Sequence, residues 1–425
     1  MVTGMYGAVP VLHSIRGLTM CTVEGARLRF GGVSRSSDVN GKKTRAIAAW
    51  AAIAALAAPG ACNADALSTP SLSGPIVANP NPVSFDAGPL GNIYIGGIAS
   101  GFGAYTSDPE RPVGDLNWRW DASNGEIFIQ KTDGWFQFFV QAGAYNLPSL
   151  GAPLFSTGTE TTDLYSAVPV AYAKFAPTST FSVLAGKLPT LVGAESTFTF
   201  QNMNVERGLL WNQEPAISRG IQANYAAGPI SLSLSWNDGF YSSQFSTLSG
   251  IAAWTIDSSN SISFVGSGNL ATSTKSAFAT PLYQNNSTIL NLIYTYTASP
   301  WTITPYLQYT HVPSSADLGL AHSGETYGAA VLATYNFSPN WNLAGRIEYI
   351  SSTGNAAEGA PNLLYGQGSR AWSFTVTPTY QYKVFFVRPE ASFVSLGSIT
   401  PGAALGSDFS HGNQFRAVLE AGVLF

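Results

Sequence analysis

The stretch NQFRAVLEAGVLF, residues 413–425, alternates between two kinds of side chain. Every second residue from Phe415 to Phe425 is apolar, whereas the intervening positions include Arg416 and Glu420. Successive side chains of a β-strand point to opposite faces, so a strand here has a wholly apolar face and a face that carries both charges. The apolar face fits the core of a soluble sandwich, or it fits the lipid around a membrane barrel whose lumen takes the charges.

The composition favours the second of these folds. Of the 425 residues, 10% are charged, against about 25% in typical soluble domains. Mean hydropathy is only +0.10, and the body of the chain lacks the uninterrupted apolar run of about 18 residues that a membrane-spanning helix needs. An aromatic fraction of 12% and 43 glycines are typical of strands and turns.

The N-terminal region carries an export signal. The basic KKTR from Lys42 precedes the apolar run AIAAWAAIAALAAPGA and a small-residue cleavage motif, which predicts a signal peptide over residues 42–66. Residues 1–41 are then an over-long start or a leader extension. Residues 67–90, rich in Pro and Ser, predict a leader into the first strand, and residues 91–425 predict the barrel.

Both cysteines, Cys21 and Cys62, precede Ala66, so the exported chain is predicted to contain no disulfide, no thiol nucleophile and no cysteine-ligated metal. A lipidated Cys62 is the alternative, although APGAC lacks the expected leucine. Removal of residues 1–66 takes away 7 of 20 basic and 3 of 24 acidic residues, which leaves 13 against 21 and a net charge of −8. The sequence has no basic patch of the kind that binds nucleic acid.

Alternating segments recur from about residue 91 to residue 425. In one of them Ile230, Leu232, Leu234 and Trp236 alternate with serines, which would form a poor core. Sixteen strands are predicted, centred near residues 99, 128, 140, 171, 184, 222, 233, 252, 265, 292, 307, 331, 347, 376, 389 and 419.

The connections between these segments alternate between tight turns and long loops. The long ones are predicted near 107–123, 147–165, 189–217, 238–245, 270–286, 313–323, 354–368 and 395–411. Short periplasmic turns and long external loops are typical of outer-membrane barrels, and aromatic residues cluster at the predicted strand ends, as they do at membrane interfaces. The sequence therefore predicts an all-β, transmembrane, up-and-down antiparallel β-barrel of about 16 strands, within a range of about 14 to 18.

Three pairs of charges are predicted to face the lumen. Each pair consists of an arginine and a glutamate on the face opposite the apolar stripe of its strand. The pairs are Arg346 with Glu348, Arg388 with Glu390, and Arg416 with Glu420. Such charges can set a transverse field that biases ion passage, or they can form a network that stiffens the wall, and these interpretations are compatible. The net charge predicts weak cation preference.

The longest connection, PTLVGAESTFTFQNMNVERGLLWNQEPAI, is more charged than the strands. A loop of this length in a compact fold is usually functional or disordered, and its aromatic residues argue against disorder. We expect it to fold inward and narrow the pore, with Arg219 at the rim; an external loop packed on its neighbours is the alternative. The constriction residues would be Glu195, Glu206, Arg207 and Glu214, and the aromatic residues are Phe198, Phe200 and Trp211.

The passage from Lys174 to Ser242 that includes this loop resembles the OmpL-like β-barrel porin family of Gram-negative bacteria. The similarity lies in a strand that ends in Gly186 and Lys187, the long loop, and a strand that starts at Arg219 and Gly220. The resemblance implies an outer-membrane channel for small solutes, without catalytic residues. Alternation places Lys187 on the lipid side, so either a bulge resets the register or Lys187 lies at the interface.

Enzymatic functions find little support in the sequence. His311, His322 and His411 occur in or near predicted loops without a nucleophile motif, and no metal-binding or phosphate-binding motif is present. No catalytic residue, metal or cofactor is predicted, and nothing before residue 91 is long enough for the plug of an energy-coupled transporter.

The predicted function is that of an outer-membrane porin for passive diffusion of small hydrophilic solutes and ions. One alternative is a solute-selective channel, for example for saccharides, in which Phe198, Phe200 and Trp211 stack on sugar faces. A non-conducting structural or adhesion barrel is another. The expected partners are outer-membrane lipid, the solutes, and the barrel-assembly machinery, which would engage the strand ending at Phe425; whether three barrels form a homotrimer is left open.

Overall fold

The computed structural model describes residues 74–79 and 82–425, and almost all of its regular structure is β-strand. The predictions for residues 1–66 lie outside this part of the chain. The strands are β1 (Val83–Asp86), β2 (Asn92–Thr106), β3 (Trp118–Lys131), β4 (Phe136–Tyr145), β5 (Val170–Phe175), β6 (Phe181–Pro189), β7 (Ile217–Ala227), β8 (Ile230–Asn237), β9 (Thr247–Thr255), β10 (Asn260–Asn269), β11 (Thr288–Ala298), β12 (Trp301–Val312), β13 (Gly324–Ser338), β14 (Trp341–Ser352), β15 (Arg370–Tyr382), β16 (Phe385–Gly397) and β17 (Asn413–Leu424).

Helices occur only between strands in the described residues. One α-helix, α1 (Thr157–Asp163), is capped by Ser156, whose hydroxyl accepts a hydrogen bond from the Thr159 amide. Short 3₁₀ turns are Gly88–Leu90, Arg111–Val113, Thr199–Gln201, Leu210–Gln213, Gln284–Asn286, Ala316–Leu318 and Ala356–Glu358. Among the described residues, no helix is both long enough and apolar enough to cross a membrane.

Strands β2 to β17 form a closed antiparallel barrel. Each of these strands pairs with its neighbours in sequence, and β17 pairs with β2 from Leu424 opposite Ile98 to Arg416 opposite Thr106. The short β1 pairs with the start of β2. All sixteen predicted strand centres fall within β2 to β17, so the predicted fold is confirmed.

The connections divide by length between the two ends of the barrel. Seven connections of two to five residues lie at one end, and eight longer ones lie at the other. The long connections are 107–117, 146–169, 190–216, 238–246, 270–287, 313–323, 353–369 and 398–412.

The two faces of the wall differ as the alternation predicts. On β17, Phe415 and Leu419 are 41% and 47% exposed, whereas Arg416 and Glu420 are buried on the inner face. Trp236 is exposed near the loop end of its strand, and other aromatic residues are exposed near the turn ends: Tyr225, Trp301, Trp341, Tyr382 and Phe425.

Leu419→Arg tests whether lipid surrounds this outer face. Leu419 lies near the middle of β17, where a lipid-facing arginine costs about 2–4 kcal/mol. We expect Leu419→Arg to lower the free energy of unfolding by this amount, as measured by urea titration in lipid vesicles. Asn413→Arg, on the same face at the loop end of β17, is the control and should cost about 1 kcal/mol or less. Equal losses for the two variants would argue against a lipid-exposed outer face.

Candidate functional site: the inner loop and the charged wall

Residues 190–216, here called the inner loop, contact the inner face of the barrel through buried polar groups. Arg388 of β16 donates hydrogen bonds from Nη1 to the Thr199 carbonyl (3.0 Å) and from Nη2 to the Asn202 and Met203 carbonyls (2.9 and 3.0 Å). Its Nη1 also lies 3.5 Å from Glu420 Oε2, and the Thr199 hydroxyl donates to Glu420 Oε1 at 2.7 Å. One arginine and one glutamate of the wall therefore hold one turn of the loop.

A second anchor lies on the neighbouring part of β16 and on β17. Glu390 accepts hydrogen bonds from the Val205 and Glu206 amides at 2.6 and 2.9 Å. The Glu206 side chain pairs with Arg416, with 2.5 Å between Oε1 and Nη1. Arg416 Nη2 also donates to the Ala152 carbonyl at 2.9 Å, which ties this anchor to the 146–169 connection.

The third anchor lies on β14. Arg346 Nη1 is 2.6 Å from Glu195 Oε1, and Arg346 also pairs with Glu348 at 3.3 Å. Glu348 accepts from the Leu209 amide at 2.9 Å. Gly208 passes so close that a Cβ there would lie 2.0 Å from the Glu348 carboxylate, so a larger residue would force this carboxylate to shift.

All six wall charges named from the sequence thus lie on the inner face, and the loop residues Glu195 and Glu206 pair with them. Both members of each pair are almost fully buried. The direct ion pairs and hydrogen bonds correspond to the stiffening network, since buried charges need such partners. Arg207 is also buried, and it donates to the Thr197 and Pro148 carbonyls rather than to a wall carboxylate.

The loop aromatics do not form an open stacking surface, which corrects the saccharide hypothesis for this conformation. Phe198 and Phe200 are 1% and 0% exposed. Phe198 meets Tyr145 edge-on at 5.5 Å between ring centroids, and Phe200 lies 5.7 Å from Phe128. Their apolar partners are inward-facing side chains of β3 and β4. Packing of the two phenylalanine rings against this wall is more favourable than their exposure to water in the lumen. Trp211 is 7% exposed.

Arg219 does not line the pore rim, where the sequence analysis predicted it. It shares the outer face of β7 with Ile221 and Tyr225, and it does not line the pore. Its guanidinium pairs with Asp238 at 2.7 Å and lies 3.8 Å from the Tyr241 ring centroid. This outer position follows from the same alternation that orders the other strands.

Lys187 lies opposite Arg219 in the register of β6 and β7, and no bulge interrupts that register. Its Nζ donates to the carbonyls of Tyr165 (3.1 Å) and Val168 (2.7 Å) in the 146–169 connection. Lys187 therefore stays on the outer face near the loop end of the barrel, as alternation predicts.

Glu214 contacts wall residues that the sequence reasoning missed. Gln308 Nε2 donates to Glu214 Oε1 at 2.5 Å, and the Asn291 Oδ1 accepts from the Gly193 amide at 3.2 Å. Asn291 and Gln308 face each other across β11 and β12, and Tyr306 is the adjacent inward position. The alternation of Trp301 to Val312 could have placed Tyr306 and Gln308 inside.

Two cavities lie beside the inner loop. The inner cavity, about 320 Å³, is lined by residues 189–198 and by inward side chains that include Phe139, Gln141, Tyr172 and Ile251. The outer cavity, about 110 Å³, is lined by the inner loop from Trp211 to Ala216 and by the 146–169, 238–246 and 270–287 connections. The Ala216 carbonyl accepts from the Thr190 amide and the Thr197 hydroxyl, both at 3.1 Å, so a thin layer of the loop separates the cavities.

The described segment before β1 also enters the barrel. The Val77 amide donates to Gln381 Oε1 and the Val77 carbonyl accepts from Gln381 Nε2, both at 2.8 Å. Ile76 is 1% exposed and belongs to an apolar cluster that includes Phe386 and Leu424. These contacts place residues 74–79 against the inner face near the short-turn end.

A closed sixteen-stranded barrel with a lipid-type exterior and an inward-folded charged loop defines a porin of the outer membrane. The family model described as "Putative beta-barrel porin-2, OmpL-like" matches residues 92–425, and the chain belongs to this family. Comparison with curated proteins gives no match.

Solved structures with the same fold include three outer-membrane proteins. The channel DcaP of Acinetobacter baumannii has a TM-score of 0.53 at 12% identity, over 79% of this chain and 97% of DcaP. OmpF of Salmonella typhi has a TM-score of 0.53 at 12% identity, over 79% of this chain and 98% of OmpF. The trimer form of Vibrio cholerae OmpT has a TM-score of 0.51 at 10% identity, over 78% of this chain and 99% of OmpT. Similarities at this level of identity establish the fold alone.

Proposed function

We propose that this porin passes small hydrophilic solutes and ions by passive diffusion, and that the inner loop is its constriction. The observation that carries the proposal is the attachment of the loop to the inner face of the barrel. Three arginines and three glutamates of β14, β16 and β17 anchor it there, and further hydrogen bonds join it to Asn291 of β11 and Gln308 of β12. The inner cavity remains between the loop and inward side chains of β4, β5 and β9, which provides space for solutes.

The proposal is tested by conductance of the detergent-purified protein in planar lipid bilayers. Stepwise current increments in KCl are the expected result, because a water-filled lumen conducts ions. A correctly folded barrel that inserts and passes no current would overturn the proposal and favour a structural or adhesion barrel.

Weak cation preference is expected of this pore. At alkaline pH, where buried carboxyl groups ionise, the inner loop and its anchoring wall hold six carboxylates and four guanidiniums, a surplus of two acidic groups; they are Glu195, Glu206, Glu214, Glu348, Glu390, Glu420, Arg207, Arg346, Arg388 and Arg416. A negative surplus in a narrow lumen raises the local concentration of cations. Reversal potentials in a KCl gradient measure this preference, and clear anion selectivity would contradict it.

The assembly state is part of the same proposal. OmpT is described in a trimer form, and we infer that this chain also forms a homotrimer in the membrane. Cross-linking in native membranes measures the number of associated barrels. The barrel-assembly machinery is proposed to recognise β17, whose terminal neighbour Phe425 is 46% exposed on the outer face.

A further inference from the structure

The outer cavity has an unusual combination of side chains. Two acidic residues line it, Glu160 of α1 and Glu214 of the inner loop. None of the residues that line it, all within the described part of the chain, is lysine or arginine. Five aromatic residues are also among its lining: Phe155, Tyr165, Trp211, Phe240 and Phe278.

We propose that the outer cavity binds the ammonium group of a small organic cation on its way into the pore. This inference rests on the proposed channel function and adds a solute class to it. Aromatic rings and carboxylates together are the groups that hold alkylammonium ions, since the ring face attracts the cation and the carboxylate neutralises it. A cavity of about 110 Å³ is smaller than the roughly 300–1,000 Å³ of pockets that enclose drug-sized ligands, so it suits a headgroup rather than a whole large molecule.

Glu214 is the central group of the proposed site. Only 5% of the residue is exposed, and its Oε1 accepts from Gln308 whereas its Oε2 has no hydrogen-bond partner. A buried carboxylate oxygen without a partner is costly, and a cationic ligand would remove that cost.

The backbone beside Glu214 is shaped to admit this carboxylate. Gly193 has φ +85°, and a Cβ there would lie 1.8 Å from Glu214 Oε2. Glycine therefore leaves the space that the carboxylate fills, and it does so where the inner loop separates the two cavities. A cation held by Glu214 would sit beside the layer of the inner loop that separates the two cavities.

The nearest cationic side chain is already engaged elsewhere. The Arg207 guanidinium lies 5.5 Å from the Trp211 ring centroid and donates to the Thr197 and Pro148 carbonyls. It does not pair with Glu214 or Glu160 within ion-pair distance in the described structure. A guanidinium at this distance from the Trp211 indole is within the range of cation–π contacts.

Protonation of Glu214 gives the site a pH dependence with a definite sign. Burial, followed by the charges of Glu195 and Glu348, raises the pKa of Glu214 well above its usual value. Burial likewise raises the pKa of Glu160 to about 7. Cation binding favours the ionised carboxylates, so the affinity should rise with pH through these pKa values. The charged or titratable groups around the two carboxylates are Glu195, Arg207, Arg346, Glu348, Tyr306, Tyr145, Tyr165, Arg119 and Asp121.

Titration calorimetry with choline chloride on the full-length protein in detergent tests the proposal. We expect saturable choline binding that is stronger at about pH 8 than at about pH 6. Glu214→Gln, which keeps the hydrogen-bonding shape and removes the charge, should weaken binding by about tenfold or more. Glu358→Gln, which removes an exposed carboxylate of the 353–369 connection, should leave it unchanged. Mannitol and sodium acetate should not bind.

Phe240→Leu provides a second variant that retains the backbone carbonyl to which Thr280 donates. It should weaken choline binding, because it removes one ring from the cavity lining. Choline binding that equals mannitol binding, or that survives both substitutions unchanged, would overturn the cation site. The calorimetry needs no current, so loss of the KCl conductance would refute the channel proposal separately.

Discussion

Replacement of residues 194–213 by two or three glycines is expected to raise single-channel conductance several-fold and to reduce cation preference. The ends are already adjacent, because the Gly193 backbone lies against the Glu214 carboxylate and the Thr190 amide donates to the Ala216 carbonyl. The excision removes the segment that crosses the barrel together with Glu195, Glu206 and Arg207. Three arginines and three glutamates of the wall then remain together with Glu214, so the acidic surplus falls from two groups to one, and water can solvate these groups in the wider lumen.

A matched deletion separates constriction from general loop shortening. Residues 400–409 belong to the long connection between β16 and β17, and their replacement by the same glycines should leave conductance close to that of the parent protein. Heat-modifiable electrophoretic mobility checks that both variants fold as barrels. A folded variant without the inner loop that conducts like the parent would contradict the constriction role.

The barrel could be predicted from the sequence because its signal is local and repeated. Each strand shows its two faces through alternation, as Phe415 and Arg416 do on β17, and turn residues separate the strands. The same rule predicted that Arg346, Arg388 and Arg416 face inward, and their side chains are buried on the inner face of the wall. It also places Arg219 outside, on the face of Ile221 and Tyr225, whereas the prediction put Arg219 at the pore rim because it follows the long loop.

The contacts of the inner loop could not be predicted in the same way. Arg388 donates to three backbone carbonyls. Every residue has a backbone carbonyl, so the sequence does not indicate which of them an arginine will bind. The sequence indicates that the loop contains aromatic residues, Phe198 and Phe200. Their burial, however, depends on Phe128 and other inward-facing rings that are distant in the chain. Strand alternation reveals which side chains face inward, whereas the partners of a loop depend on three-dimensional closure of the barrel.

Arg388→Met is expected to lower the free energy of unfolding by about 3–5 kcal/mol, the usual cost of breaking a buried ion pair. The substitution keeps most of the side-chain volume but leaves Glu420 without its arginine, and it leaves the carbonyls of Thr199, Asn202 and Met203 without their donor. The inner loop should then detach, because these bonds hold one of its three anchors. Urea titration in lipid vesicles measures the stability.

Limited trypsin digestion and a second substitution distinguish loop detachment from general destabilisation. Arg207 is fully buried in the inner loop, so cleavage after it should appear in Arg388→Met and not in the parent protein. Arg370→Met, which removes an exposed arginine at the start of β15, should change neither stability nor cleavage. Glu420→Gln combined with Arg388→Met should cost less than the sum of the single changes, since the pair is lost only once. Strict additivity would show that Arg388 and Glu420 are not coupled, and continued protection of Arg207 would show that Arg388 does not anchor the loop.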